Sequence, residues 1–171
     1  MKKLFLFAVL IFSSFFASAQ FAITTGGTAA LPVGDLGKIS SFGYGGGAGL
    51  HYFFQEQGSI GVNVNYYNFM GKDVFPNTTM ISVVPTMKFL FFQDDSPYFT
   101  IDAGAYFTSN SGLSAQSYGG GLGLGYMYGI TDTIALDINA KYTAAYDFDS
   151  KSVTMFAPVN IGLLFILGGM W

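Results

Sequence analysis

The stretch Ile134–Tyr146, IALDINAKYTAAY, sorts with period two. Ile134, Leu136, Ile138, Ala140, Tyr142, Ala144 and Tyr146 fall on one face, and Ala135, Asp137, Asn139, Lys141, Thr143 and Ala145 on the other. Successive strand side chains point to opposite sides of a sheet, so this is a strand with one apolar face and one polar, charged face. Alone it would suit a half-buried strand of a soluble sandwich. Its surroundings decide which face points inward.

The 171-residue chain is 51% hydrophobic and 18% aromatic but only 10% charged, where a soluble domain carries about 25% charged residues. Past the amino-terminal segment no apolar run approaches the length of about 20 residues that a transmembrane helix needs. High apolarity without such a helix leaves the closed β-barrel, in which every backbone group is paired between strands. The absence of cysteine excludes a disulfide framework, a thiolate metal site and a lipidated Cys. All seven basic residues are lysines; without Lys2 and Lys3 five remain against ten acidic residues, which argues against nucleic acid as a partner.

Met1–Ala19 has the form of a signal peptide: Lys2 and Lys3, an apolar centre over Leu4–Phe16, and Ala17-Ser18-Ala19 before a cleavage point between Ala19 and Gln20. Gln20–Trp171, about 150 residues, suits one domain. It divides into eight strand-like runs: Phe21–Ala30, Phe42–Phe54, Ser59–Met70, Thr79–Phe92, Tyr98–Thr108, Gln116–Tyr128, Ile134–Tyr146 and Ser152–Leu167. Gly, Pro, Ser, Asn and Asp punctuate them. The expected fold is all-β, an eight-stranded antiparallel up-and-down transmembrane barrel preceded by a helical signal peptide. Tight turns near Gln55–Gly58, Gln93–Pro97 and Gly129–Asp132 alternate with longer loops at Leu31–Ser41, Gly71–Asn77, Ser109–Ala115 and Asp147–Lys151. Short periplasmic turns and longer external loops are the layout of an outer-membrane barrel.

The charges set the orientation of the faces. Asp35, Lys38, Lys72, Asp73, Asp147, Asp149 and Lys151 fall in or beside the long loops, and Glu56, Asp94, Asp95 and Asp132 in the tight turns. Only Lys88, Asp102, Asp137 and Lys141 lie inside strands, each on its polar face. A soluble barrel would put these charges outside and the apolar face inside; here the apolar face is too extensive for a soluble monomer and points at lipid. Aromatic residues collect at the strand ends in two girdles. Phe54, Phe91, Phe99, Tyr126, Tyr128, Phe165 and Trp171 mark one, and Phe42, Tyr44, Tyr66, Phe107, Tyr118 and Tyr146 the other.

Two glycine-rich runs, FGYGGGAGLHYF and YGGGLGLGYMY, match neither a dinucleotide fingerprint nor a phosphate-binding loop. As strands they put Gly43, Gly45, Gly47 and Gly49, and Gly119, Gly121, Gly123 and Gly125, toward the lumen, leaving room for Tyr, Phe and Lys side chains from other strands. Pro85 and Pro158 should interrupt the ladder by bulges or local breaks.

LPVGDLGKISSFGYGGGAGLHYFF, with its Pro, Gly-Asp and Gly-alternating strand, resembles the small outer-membrane β-barrel domain proteins of Bacteroidota often called porin-family proteins. The apolar last strand ending in an aromatic also resembles the carboxy-terminal signal read by the barrel-assembly machinery. More broadly the layout is similar to eight-stranded barrels of the OmpX and OmpA type. The resemblance implies a fold and an outer-membrane address, with lipid and lipopolysaccharide as surroundings and a monomer as the assembly. It implies no cofactor and no activity.

The candidate lumen set is His51, Asn63, Asn65, Lys88, Asp102, Asp137, Asn139, Lys141 and Asn160, with two positive and two negative charges. An eight-stranded barrel is about wide enough for side chains to fill it, and balanced buried charges pair. One histidine cannot make a multi-histidine metal site, and no serine or carboxylate is evidently placed beside His51 for nucleophilic catalysis. The external loops carry Phe75 as their aromatic. Three functions follow from the lumen: a structural or surface-interaction barrel if side chains fill it, a narrow channel for ions or small solutes if water runs through it, and a lipid-modifying enzyme if a nucleophile meets His51. The first is the expected one, without catalysis.

Overall fold

In the computed structural model the described residues are 20–54, 58–92, 96–110 and 113–167. The signal-peptide assignment, the cleavage point at Ala19, the turn charges Glu56, Asp94 and Asp95, and Trp171 lie outside them.

Eight strands close into one antiparallel barrel in chain order: β1 (Gln20–Val33), β2 (Ser40–Phe54), β3 (Gly58–Gly71), β4 (Thr78–Leu90), β5 (Pro97–Asn110), β6 (Leu113–Thr131), β7 (Ile134–Asp147) and β8 (Ser152–Leu167). Closure is made by β1 on β8, in register from Phe21↔Leu167 to Val33↔Met155. No strand edge is left, so the wall satisfies its own backbone groups, as a hydrocarbon environment demands.

Period two holds all round. Asp137, Asn139, Lys141 and Thr143 of β7 face inward. The outer wall is a band of exposed aliphatics: Ile23, Leu50, Val62, Val64, Ile81, Val83, Ile101, Leu122, Leu124, Ile138, Val159 and Ile161, with Leu124 64% exposed. Aromatics flank this band. At the tight-turn end Phe89 stacks on Phe99 at 6.5 Å, and at the loop end Tyr146 meets Phe148 edge-on at 4.9 Å. Among the described residues no helix is long and apolar enough to cross a membrane.

Two expectations need correction. The loop after Ala30 is largely structured: β1 runs on to Val33, and Gly34–Ile39 forms a six-residue helix, α1. Asp35 in its first turn and Lys38 in its last suit the helix dipole. Leu36 is buried and Ile39 packs beside it against the barrel interior. Second, the loop expected over Ser109–Ala115 is partly strand, because the ladder continues through Ser109↔Ser114 to Asn110↔Leu113. Backbone groups that can pair do so. Asn110 Nδ2 donates to Thr78 Oγ1 at 3.1 Å and ties this hairpin to β4. The prolines behave as expected: Pro85 and Pro158 leave local breaks with register kept, while the register shifts fall elsewhere, at Ser40/Phe42 and Gly129/Thr131. The β4–β5 ladder stops at Val83↔Ala105 and resumes at Thr86↔Asp102, and the β7–β8 ladder stops at Ala140↔Val159 and resumes at Thr143↔Phe156. Each missing N–H is lost on one side only.

The inward glycines divide into two kinds. Those at Gly43, Gly49, Gly121 and Gly125 are sockets, where a Cβ would enter Phe69, Asn63, Asp102 or Tyr98 respectively. At Gly45, Gly104 and Gly119 a Cβ would run into the neighbouring strand's carbonyl oxygen, so these are corners where the wall bends sharply. Backbone cannot move aside as a side-chain tip can. Gly45→Ala is expected to lower the unfolding free energy in lipid by about 1–3 kcal/mol. Gly27→Ala, whose Cβ would meet nothing nearer than 3.9 Å, should stay within about 0.5 kcal/mol of the parent. Urea titration of the heat-modifiable band checks both.

Candidate functional site: the barrel interior

All nine residues of the lumen set face inward, and they assemble into one belt at mid-height. β7 supplies Asp137, Asn139 and Lys141 at alternate positions. Lys88 of β4 reaches across the barrel to Asp137 Oδ2, and Tyr98 of β5 donates its hydroxyl to Asp137 Oδ1. The Lys88 ammonium also lies 4.8 Å from the centre of the Tyr98 ring. Lys141 pairs with Asp102 Oδ2 at 2.6 Å. A chain of hydrogen bonds continues around the wall. Asn139 Nδ2 donates to Asp137 Oδ1 at 3.4 Å, Asn160 Nδ2 to Asn139 Oδ1 at 2.7 Å, and Thr28 to Asn160 Oδ1. On the facing wall Asn63 Nδ2 donates to Thr86 Oγ1 at 2.8 Å and Asn65 Nδ2 to Ser82 Oγ at 3.1 Å. The two Lys–Asp pairs neutralise each other, so the belt is polar but carries no excess charge.

His51 corrects an expectation. Its Nδ1 lies 3.4 Å from Ser59 Oγ and its Nε2 3.1 Å from Asn63 Oδ1. The β2–β3 hairpin pairs His51 with Gly61, which brings Ser59 alongside diagonally. The serine that the sequence did not evidently offer is therefore present. It is fully buried, as is His51, and both backbones are held in the ladder.

The sequence reading missed what lies above and below the belt. At the loop end Tyr67, Phe69, Tyr106 and Phe156 form a ring cluster centred on Phe156, at 5.2 Å from Tyr67, 5.5 Å from Phe69 and 6.4 Å from Tyr106. Met80, Val84 and Leu36 of α1 complete it. At the tight-turn end Phe53, Tyr98, Met127, Leu164 and Ile166 form a second apolar layer with Ala22 and Ala135. The signal for both was available: these are apolar residues at the same parity as the polar ones.

On the loop face, the Lys38 ammonium at 2.6 Å hydrogen-bonds Asp35 and holds that carboxyl below its ordinary range, while Asp35 raises Lys38. Both are solvent-exposed. The loops also carry more aromatic surface than Phe75 alone, because exposed Phe148 packs against Tyr146 and Tyr118. Among the described residues no three His, Cys, Asp or Glu side chains converge to hold a metal ion.

No protein-family model matches the sequence. No curated protein matches it either. Solved structures do. Neisserial surface protein A superposes with a TM-score of 0.71 at 17% identity, over 85% of this chain and 96% of that one. Ail, the attachment invasion locus protein of Yersinia pestis, gives 0.60 at 15% identity over 87% and 99%. Outer membrane protein OprG from Pseudomonas aeruginosa gives 0.60 at 13% over 89% and 97%. These neighbours are small outer-membrane β-barrels, and this chain shares their fold.

Proposed function

We propose that this chain is a small integral outer-membrane barrel with a closed interior, which acts through its external loops and lipid-facing wall and not through catalysis. The observation that carries this reading is the stacking of three layers inside the barrel: an electroneutral polar belt between two apolar seals. A wall of exposed aliphatics with aromatic residues at both ends suits lipid, with lipopolysaccharide at the outer girdle. The tight turns then lie in the periplasm and α1 with the long loops outside. The structural neighbours favour the same location, and the name of one of them, attachment invasion locus protein, is compatible with a surface role. Membership among the porin-family barrels of Bacteroidota, secretion by a cleaved signal at Ala19, insertion by the barrel-assembly machinery and a monomeric state belong to this proposal, on the residues quoted for them above.

The refolded chain Gln20–Trp171 in a planar bilayer is expected to be silent while migrating as a folded, heat-modifiable barrel. Reproducible conductance steps that change when Lys88 or Asp102 is neutralised would replace this reading with the narrow channel. The Ser59, His51 and Asn63 grouping supports an enzyme in geometry only, since both Ser59 and His51 are buried and need a route for lipid. A fluorophosphonate probe should leave Ser59 unlabelled; labelling lost in Ser59→Ala would revive catalysis.

A further inference from the structure

We infer that the polar belt encloses a water-filled chamber that takes water and polar solutes little larger than water, and that this chamber communicates with the loop end through α1. The inference deepens the closed-interior reading and rests on it.

A cavity sits at mid-barrel, with walls that include Thr24, Thr28, Lys88, Asn139, Lys141 and Asn160. It offers about 70 Å³ of room for water centres, where one water takes about 10–15 Å³. Its lining has hydrogen-bonding capacity to spare. An ammonium carries three donors, and Lys141 directs one of them to Asp102 while facing the cavity. Asp102 Oδ1, buried beside it, has no hydrogen-bond partner among the described residues. A polar cavity of this size with several partners per water is a hydrated one, unlike an apolar void. Lys88, Lys141 and Asp137 are the charged residues of the lining, and Asp102, the partner of Lys141, is not part of it, which makes small neutral and singly negative molecules the ligand class.

The two seals differ in construction. At the tight-turn end the plug consists of strand residues, and Tyr98 is anchored to Asp137 by its hydroxyl. At the loop end part of the plug is Leu36, carried on a six-residue helix outside the ladder. α1 begins at Gly34 with φ +60°, a conformation that suits glycine, and is held by Lys72 N–H to the Ile39 carbonyl at 2.8 Å and Lys72 Nζ to the Gly37 carbonyl. Release of this short tether withdraws Leu36 from the ring cluster and gives Phe156 space to turn. No comparable element exists at the other end among the described residues.

The chain contains no cysteine, so one introduced thiol reports on the chamber alone. Thr28→Cys, with Thr24→Cys as a second position, is treated in detergent micelles with hydrogen peroxide, a neutral molecule little larger than water. The thiolate attacks one peroxide oxygen, the O–O bond breaks, hydroxide leaves and a sulfenic acid forms, which dimedone labels after unfolding. Folded barrels with either cysteine are expected to react measurably, at least tenfold faster when Leu36→Ala is added, and at an unchanged rate when Leu164→Ala is added at the opposite seal. Thiols that stay unreactive in a folded Leu36→Ala background would overturn the chamber. Acceleration by Leu164→Ala to the same extent or more would overturn entry from the loop end. Conductance of the parent chain would instead defeat the closed-interior reading, so the two failures are distinguishable.

Discussion

Lys88→Met should lower the unfolding free energy of the barrel by about 3–5 kcal/mol, the cost of stranding a buried charge. The side chains of Lys88 and Asp137 are 6% and 8% exposed. With the ammonium gone, Asp137 keeps the Tyr98 hydroxyl and the Asn139 amide among the described residues. Neither supplies a positive charge, and the wall around the belt is sealed at both ends. The pair itself is worth much less than its disruption suggests, because taking two ions out of water offsets most of their attraction. Lys88→Met combined with Asp137→Leu should therefore recover most of the loss. Lys38→Met, which breaks a solvent-exposed pair with Asp35, should leave the urea midpoint unchanged. If the single Lys88 variant unfolds at the parent's midpoint in phospholipid vesicles, chamber water and the remaining hydrogen bonds suffice for Asp137, and the Lys88–Asp137 pair does not stabilise the barrel.

The contrast between the two pairs explains why so much of the interior was legible in the sequence. Period-two alternation assigns every strand residue to a face, and a charge inside an otherwise apolar strand can only be inward when the outer solvent is hydrocarbon. Lys88, Asp102, Asp137 and Lys141 were placed by that argument alone. Which lysine meets which aspartate depends on strand order and stagger around a closed ring, and no local pattern carries it. The His51–Ser59 neighbourhood was nearer to hand. The β2–β3 register puts Phe54 opposite Gly58 and hence His51 opposite Gly61, and the same arithmetic run from a turn expected near Gln55–Gly58 would have put Ser59 within reach. α1 escaped because six residues rich in Gly read as a loop. Its signal was the spacing of Leu36 and Ile39 on one face. The two apolar seals were overlooked for a different reason. Attention to polar residues on the inward face passes over Met80, Val84, Phe156 and Leu164, which share that parity and end the polar column.

Those seals yield the second large effect. Phe156→Ala should cost about 3–5 kcal/mol, the range for removing a buried aromatic ring from a packed core. Phe156 is fully buried and touches Tyr67, Phe69 and Tyr106 edge-on, so its loss removes three ring contacts at once as well as its own burial. Those neighbours have little freedom to collapse into the gap. Tyr67 and Phe69 are alternate residues of β3, Tyr106 is fixed on β5, and the ladder on either side holds their backbones. The destabilised barrel should nonetheless stay electrically silent in a planar bilayer. The tight-turn layer of Phe53, Tyr98, Met127, Leu164 and Ile166 is untouched by the substitution, and an apolar constriction stops ions by excluding water. Stability and conductance thus separate: one seal determines the first, and both together determine the second. A Phe156→Ala protein that conducts would mean that the tight-turn layer is no barrier, and that the loop-end ring cluster alone keeps the barrel closed.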